Sequence, residues 1–276
     1  MKKIDYRLKH IITYKIQTLD LSKQDLTDDD IVHLLPHIQG NNHIIHISFY
    51  GNKLTKIPFL DLPNLQTLDL GSNKIQKIDN LYNLPKLSQL GLHFNKIPKL
   101  ENLDVLSNLE TLSVNNNDIV KIENLGNLPK LRRLMLNNNS ISKIENIENL
   151  LSLEEIWLSN NNISTLDNLN DLLNLKRLFI FNNNINNIPS TIDLPKLELL
   201  SIGLNQITKL ENLNKLPNLY VLYIDDNPIT KIGSNINLHN LKRIWITVND
   251  TEKVKLLTVC PSIKYYNRPI SEGEGL

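Results

Sequence analysis

An asparagine returns every 22 residues along this chain, at Asn73, Asn95, Asn117, Asn139, Asn161, Asn183, Asn205, Asn227 and Asn249. Each closes one phrase: an aliphatic residue, two variable ones, a second aliphatic, one variable, a third aliphatic, two variable, then Asn. Leu65, Leu68, Leu70 and Asn73 make one copy, and Leu131, Leu134, Leu136 and Asn139 another. Two irregular copies lie upstream, with Asn52 standing 21 residues before Asn73 and Gln24 28 residues before Asn52. A unit of this length cannot bury its own apolar side, so stacked neighbours must supply one continuous core. Chain length is then a poor guide to domain count. The 276 residues read as a single array of about eleven strands over 16–249, with an N-terminal cap at 1–15, a C-terminal cap at 250–270 and a disordered tail at 271–276.

Within the phrase, the second and third aliphatics stand two apart in a short strand, so they share one side and the residues between them face the other. Parallel strands stacked about 4.8 Å apart place residues of equal phase in columns on an exposed inner face. The closing asparagines, Asn52 included, are expected to turn inward, where an amide can both donate to and accept from backbone groups otherwise buried unpaired. Replacing one by Leu should cost roughly 1–3 kcal/mol.

The outer face carries aliphatics at short spacing and repeated Leu-Pro pairs, as at Leu84-Pro85 and Leu128-Pro129. Proline argues against long helices there and for extended segments and single tight turns. The first unit differs. Thr27, then Asp28, Asp29 and Asp30, precede Ile31, Leu34, Leu35 and Ile38, an N-cap and acidic first turn leading into an apolar stripe. A helix interrupted near Pro36 is expected. Ile4, Leu8, Ile11 and Ile12 fit the N-terminal cap, and a helix from Asp250 bearing Val254 and Leu257, followed by Cys260 and Ile263, fits the C-terminal one.

Thirty basic and 29 acidic residues leave a formal net charge of +1, which provides no electrostatic footprint for nucleic acid. One cysteine cannot form an internal disulfide, and no stretch reads as a signal peptide or membrane span. A cytosolic or nuclear protein is expected. Phosphate loops, paired-His metalloprotease phrases and nucleophile elbows are absent from the sequence, so no catalytic role, cofactor or metal is assigned. His33, His37, His43 and His46 read as surface residues, and the sequons at Asn138, Asn162 and Asn249 as by-products of an Asn-rich chain.

The inner face is where the repeat does not dictate residue type. Its central column ends Met135, Trp157, Phe179, Ser201, Tyr223, Trp245 and contains both tryptophans of the chain. The preceding column supplies Arg133, Glu155, Arg177, Leu199, Val221 and Arg243, and the following one Phe181 and Asp225. Earlier repeats place small polar residues at these phases, among them Thr67, Asp69, Gly71, Gly91 and Ser113. Sheet propensity alone would spread aromatics evenly. Their segregation marks Arg133, Met135, Glu155, Trp157, Arg177, Phe179, Phe181, Leu199, Val221, Tyr223, Asp225, Arg243 and Trp245 as a partner-binding surface, with the apolar members exposing more than about 400 Å².

Leu100-Glu101-Asn102-Leu103, Ile122-Glu123-Asn124-Leu125, Ile144-Glu145-Asn146-Ile147 and Leu210-Glu211-Asn212-Leu213 resemble the 22-residue leucine-rich repeat subfamily typified by the regulatory subunit of type-1 serine/threonine protein phosphatase. The resemblance implies a horseshoe solenoid with a parallel sheet on its concave face, extended and 3-10 segments on its convex face and helical caps. It further implies a non-catalytic scaffold whose concave aromatic and acidic residues engage a folded protein, with a phosphatase catalytic subunit as the family's example; the chain itself is expected to be a monomer. Arg133 and Arg177 depart from that face, and the long opening unit is similar to the ribonuclease-inhibitor type of repeat. An alternative kinship is with bacterial leucine-rich repeat proteins, internalin-like adhesins or effectors that bind a host protein.

Overall fold

The computed structural model describes residues 16–233, 236, 239–259 and 264–266. The proposed N-terminal cap, Cys260, Ile263 and the tail lie outside the described residues. The chain divides into two compact units, one ending at Asn139 and the other beginning at Ser140. In the first, β1 (Thr18–Asp20), β2 (His46–Ser48), β3 (Thr67–Asp69), β4 (Gln89–Gly91), β5 (Thr111–Ser113) and β6 (Arg133–Met135) pair in parallel in chain order. In the second, β7 (Glu155–Trp157), β8 (Arg177–Phe179) and β9 (Leu199–Ser201) form the same kind of sheet. There β10 (Lys209–Leu210) leaves the sheet to pair with β12 (Lys231–Ile232), while β9 continues to β11 (Val221–Tyr223), β13 (Arg243–Trp245) and β14 (Lys264–Tyr266). Among the described residues each unit is a leucine-rich repeat solenoid with few helices.

Each described strand is three residues at most, and the middle residue of each three-residue strand from β1 to β13 is buried. The phrase Leu109, Leu112, Val114 and the outer aliphatics Ile119, Ile122, Leu125 and Leu128 are each no more than 1% exposed. Between the strands the chain makes single tight turns, Leu106 N–H to Leu103 O and Leu109 N–H to Leu106 O at 3.0 and 2.9 Å. One such turn lengthens to the 3-10 segment Leu213–Lys215.

The asparagine column is a ladder with shared rungs. The Asn117 amide nitrogen donates to Val114 O of its own repeat and Leu92 O of the preceding one, both at 3.0 Å, while its Oδ1 accepts the Ile97 N–H at 3.0 Å. Asn95 also donates to Leu92 O, and Asn139 to Val114 O. Each such carbonyl therefore holds two amides, one from either side, and the pattern repeats through Asn52, Asn73, Asn183, Asn205 and Asn227. Asn161 takes the same place in its own repeat.

Asn249 departs from the column. It is exposed, and its Oδ1 accepts the Glu252 N–H at 2.9 Å, capping helix α2 (Asp250–Val259). Glu252, 6% exposed, takes over the inward role by accepting the Ile232 N–H at 2.6 Å. The helix turns the chain before an asparagine at that phase can reach inside, so the carboxylate three residues on closes the array. Its core residue is Leu256 at 0%, whereas Val254 and Leu257, which the spacing points inward, are 63% and 38% exposed.

Two further asparagine columns tie the outer side. Asn80, Asn102, Asn124, Asn168 and Asn212 sit at φ between 55 and 64° and donate to a carbonyl of the preceding repeat at 2.7–2.9 Å. Asn tolerates this left-handed backbone better than other non-glycine residues, and its amide then satisfies an otherwise open carbonyl. Asn108, Asn218 and Asn240 do the same for Pro85 O, Pro195 O and Pro217 O at 2.6–2.7 Å. In the first unit, α1 (Asp28–Leu34) has its expected Thr27 capping box with Asp30 and buries Ile31 and Leu34 before the 3-10 turn Leu35–His37.

Candidate binding surface

In the first unit the solvent side of the sheet is mostly polar. Arg133 is exposed and donates through Nε to Thr111 Oγ1 at 3.1 Å, and Met135 is half-buried beside it. The pair Tyr50 and His93, which the sequence leaves without a role, stack at 5.8 Å. The His93 ring lies over Gly71, where an added Cβ would meet its Cε1 at 2.4 Å. A glycine in one strand is thus a seat for a ring from the next, a signal readable from two columns but not from one.

The second unit gathers most of the proposed surface. Strand register places Trp157 opposite Phe179 and Tyr223 opposite Trp245. Both pairs stack, with ring centroids 4.2 Å apart and planes inclined by 31° and 30°. Leu199 aligns with Arg177 on one side and Val221 on the other. Phe179, Leu199 and Val221 form one cluster at 8%, 5% and 3% exposure, and Trp157, Tyr223 and Trp245 pack on it half-buried.

This corrects the expectation of an open apolar patch. Alternate-phase residues on short, closely spaced strands let large rings fold over the smaller aliphatics beside them, so the patch becomes a second small core roofed by three aromatic rings. The roof has one defect. Trp157 Nε1 is buried with no hydrogen-bond partner among the described residues, an omission that normally costs about 1–3 kcal/mol.

Charge is arranged around the rings. Arg177 pairs with Glu155, a neutralised cross-strand ladder at the edge, and Arg243 is exposed beside Val221. Burial pushes the Tyr223 phenol up, against the influence of Arg243. On the other side of the rings, Phe181, Gly203 and Asp225 share the next column. Asp225 is 5% exposed, and burial pushes its carboxyl up from the ordinary range, opposed by a hydrogen bond from its own backbone N–H. Among the described residues no cluster of His, Cys, Asp and Glu fits a metal, and no helix is long and apolar enough to cross a membrane.

Parallel strands of three residues, backed by an asparagine ladder and recurring with the period of the sequence, define a solenoid repeat protein. A model of the leucine-rich repeat region matches residues 15–259, and the chain belongs to that family. Its fold is similar to an internalin from Listeria monocytogenes, 22% identical over 98% of this chain and 94% of that one with a TM-score of 0.58. It is similar also to a leucine-rich repeat protein of Leptospira interrogans, 23% identical over 91% and 72% with a TM-score of 0.59. The leucine-rich repeat domain of APL1B gives a TM-score of 0.71 at 18% identity, over 95% of this chain and 78% of that one. No curated protein sequence matches the chain significantly.

Proposed function

We propose that the chain is a non-catalytic scaffold that binds a folded protein on the solvent side of the second unit's sheet. The observation that supports this most is the pair of stacked aromatics, Trp157 on Phe179 and Tyr223 on Trp245, with Trp157, Tyr223 and Trp245 packed over Phe179, Leu199 and Val221. Rings already held by packing lose little rotamer freedom on binding, and Trp, Tyr and Arg dominate the energetics of interfaces. Trp157 and Trp245 should each contribute about 2 kcal/mol or more where a partner covers them.

Affinity capture from the native cell extract, comparing the wild type with a Trp157→Ala, Trp245→Ala double variant, tests the surface. Loss of a captured protein supports it, whereas identical captures move the search to the outer side and the edges.

The finer reading is a regulatory subunit of type-1 serine/threonine phosphatase. It rests on the Glu-Asn phrases, yet Asn102, Asn124 and Asn212 are engaged in tying one repeat to the next. Those residues therefore speak for the repeat type more than for the partner. Direct titration of purified phosphatase catalytic subunit against the full chain decides it, and absence of binding at micromolar concentration removes the phosphatase while leaving the scaffold.

A further inference from the structure

We infer that Asp225, Gly203 and Phe181 form a subsite that accepts a cationic side chain, an arginine or lysine, from the protein bound on this face. The inference rests on the proposed binding surface and gives that surface a chemistry.

The three residues share one column on neighbouring strands, next to the aromatic roof. Gly203 has no side chain, and a Cβ built there would meet Asp225 Oδ1 at 3.1 Å, Asp225 O at 3.0 Å and Phe181 Cδ2 at 3.2 Å. The carboxylate thus lies over the bare glycine backbone, level with the edge of the Phe181 ring. Any side chain there would crowd the carboxylate and the ring, and the result is an acid held close against backbone and ring.

Asp225 is 5% exposed, and among the described residues no cation and no other side chain bonds to it. The charge that acts on it is Asp226, of its own sign. The cations of this face stand elsewhere. Arg177 is occupied by Glu155, and Arg243 is in register with Val221, from where it acts on the Tyr223 phenol rather than on Asp225.

A buried carboxylate with no counter-charge is costly. Here burial disfavours the ionised form, so the free chain is less stable at neutral pH for carrying this residue. The other buried acid among the described residues, Glu252, has Lys255 and the Ile232 N–H as partners. Asp225 has the charge and lacks the counter-charge, which a partner's ammonium or guanidinium supplies.

The test uses the full chain and two stages. First, the carboxyl carbon of Asp225 is followed by NMR and assigned by its disappearance in Asp225→Asn. N-acetyl-arginine N-methylamide and its lysine counterpart are the probes, with the alanine counterpart as control. The resonance should move saturably with the cationic probes, and the arginine and lysine arms identify the better occupant. A resonance that responds to neither, or equally to the alanine control, overturns the subsite.

Second, a protein captured by the wild type should bind Asp225→Asn at least about tenfold more weakly, as expected when one member of a desolvated charge pair is removed. A partner lost with the tryptophan variants but bound equally by Asp225→Asn overturns the subsite and leaves the surface standing. A partner indifferent to the tryptophans overturns the surface, and the NMR titration still decides whether the subsite takes a cation.

Discussion

Shared rungs make the asparagine ladder cooperative between neighbours and blind beyond them. Removing Asn117 alone orphans the Ile97 N–H, since Leu92 O keeps Asn95 and Val114 O keeps Asn139. One buried donor left unpaired predicts about 1–3 kcal/mol for Asn117→Ala. Asn95→Ala likewise orphans the Ile75 N–H. The double variant does more, because Leu92 O then loses both amides, adding roughly another 1–3 kcal/mol beyond the sum of the singles. Asn73 and Asn117 share no carbonyl: Asn73 serves Phe49 O and Leu70 O. That pair should be additive within about 0.5 kcal/mol. Urea unfolding of the singles and both doubles gives the two coupling energies, and amide exchange at Ile75 and Ile97 reads the orphaned donors directly. Equal coupling in the adjacent and the separated pair would refute the shared-carbonyl account.

Leu204 holds φ 48° on the surface at 41% exposure, at a phase where Asn116, Asn138, Asn160 and Asn182 stand in other repeats. Leu204→Asn should therefore raise stability by about 0.5–1 kcal/mol, seen as a higher urea midpoint at unchanged slope. Asn124→Ala removes the bond to Leu100 O at 2.8 Å and a residue suited to φ 57°, and should cost about 1–2 kcal/mol by the same assay. Asp225 has a folded-state carboxyl raised by burial above its unfolded value of 3.8, so its penalty is absent below that value and grows as pH rises through the folded one. Asp225→Asn should accordingly raise the melting temperature at pH 7 and leave it unchanged at about pH 3; an equal gain at both would contradict the assignment. Glu252 has the opposite sign. The Lys255 hydrogen bond and the Ile232 N–H depress its carboxyl, so its contribution is present above the unfolded value of 4.5 and is lost as pH falls through the folded one, with exchange of the Ile232 amide rising in acid.

The periodicity made the strands legible because the same four positions must face inward in every repeat, and a buried amide has few alternatives to bonding the backbone. Thr27 and the three aspartates after it made the first helix legible for an equally local reason. Glu252 was not legible, because its inward role depends on where a helix turns the chain and not on the phase of the repeat. The asparagines of the Glu-Asn phrases read as a mark of kinship, and their left-handed backbone and cross-repeat bonds emerge only in three dimensions. Exposure of the site was the least accessible quantity. Leu199 and Val221 lie at solvent-facing phases, yet neighbouring rings cover them, and the seat of Asp225 is set by a glycine one strand away.

Both tryptophans of the chain, Trp157 and Trp245, stand in the unit that begins at Ser140, and each is stacked on a second aromatic ring. Indole emission is consequently an optical reporter of that half alone, silent about everything up to Asn139, whereas far-ultraviolet dichroism sums over both. Denaturation followed by the two signals together separates the halves without any label: coincident midpoints mean that the array melts as one body, and displaced midpoints rank the two units in the order in which they let go.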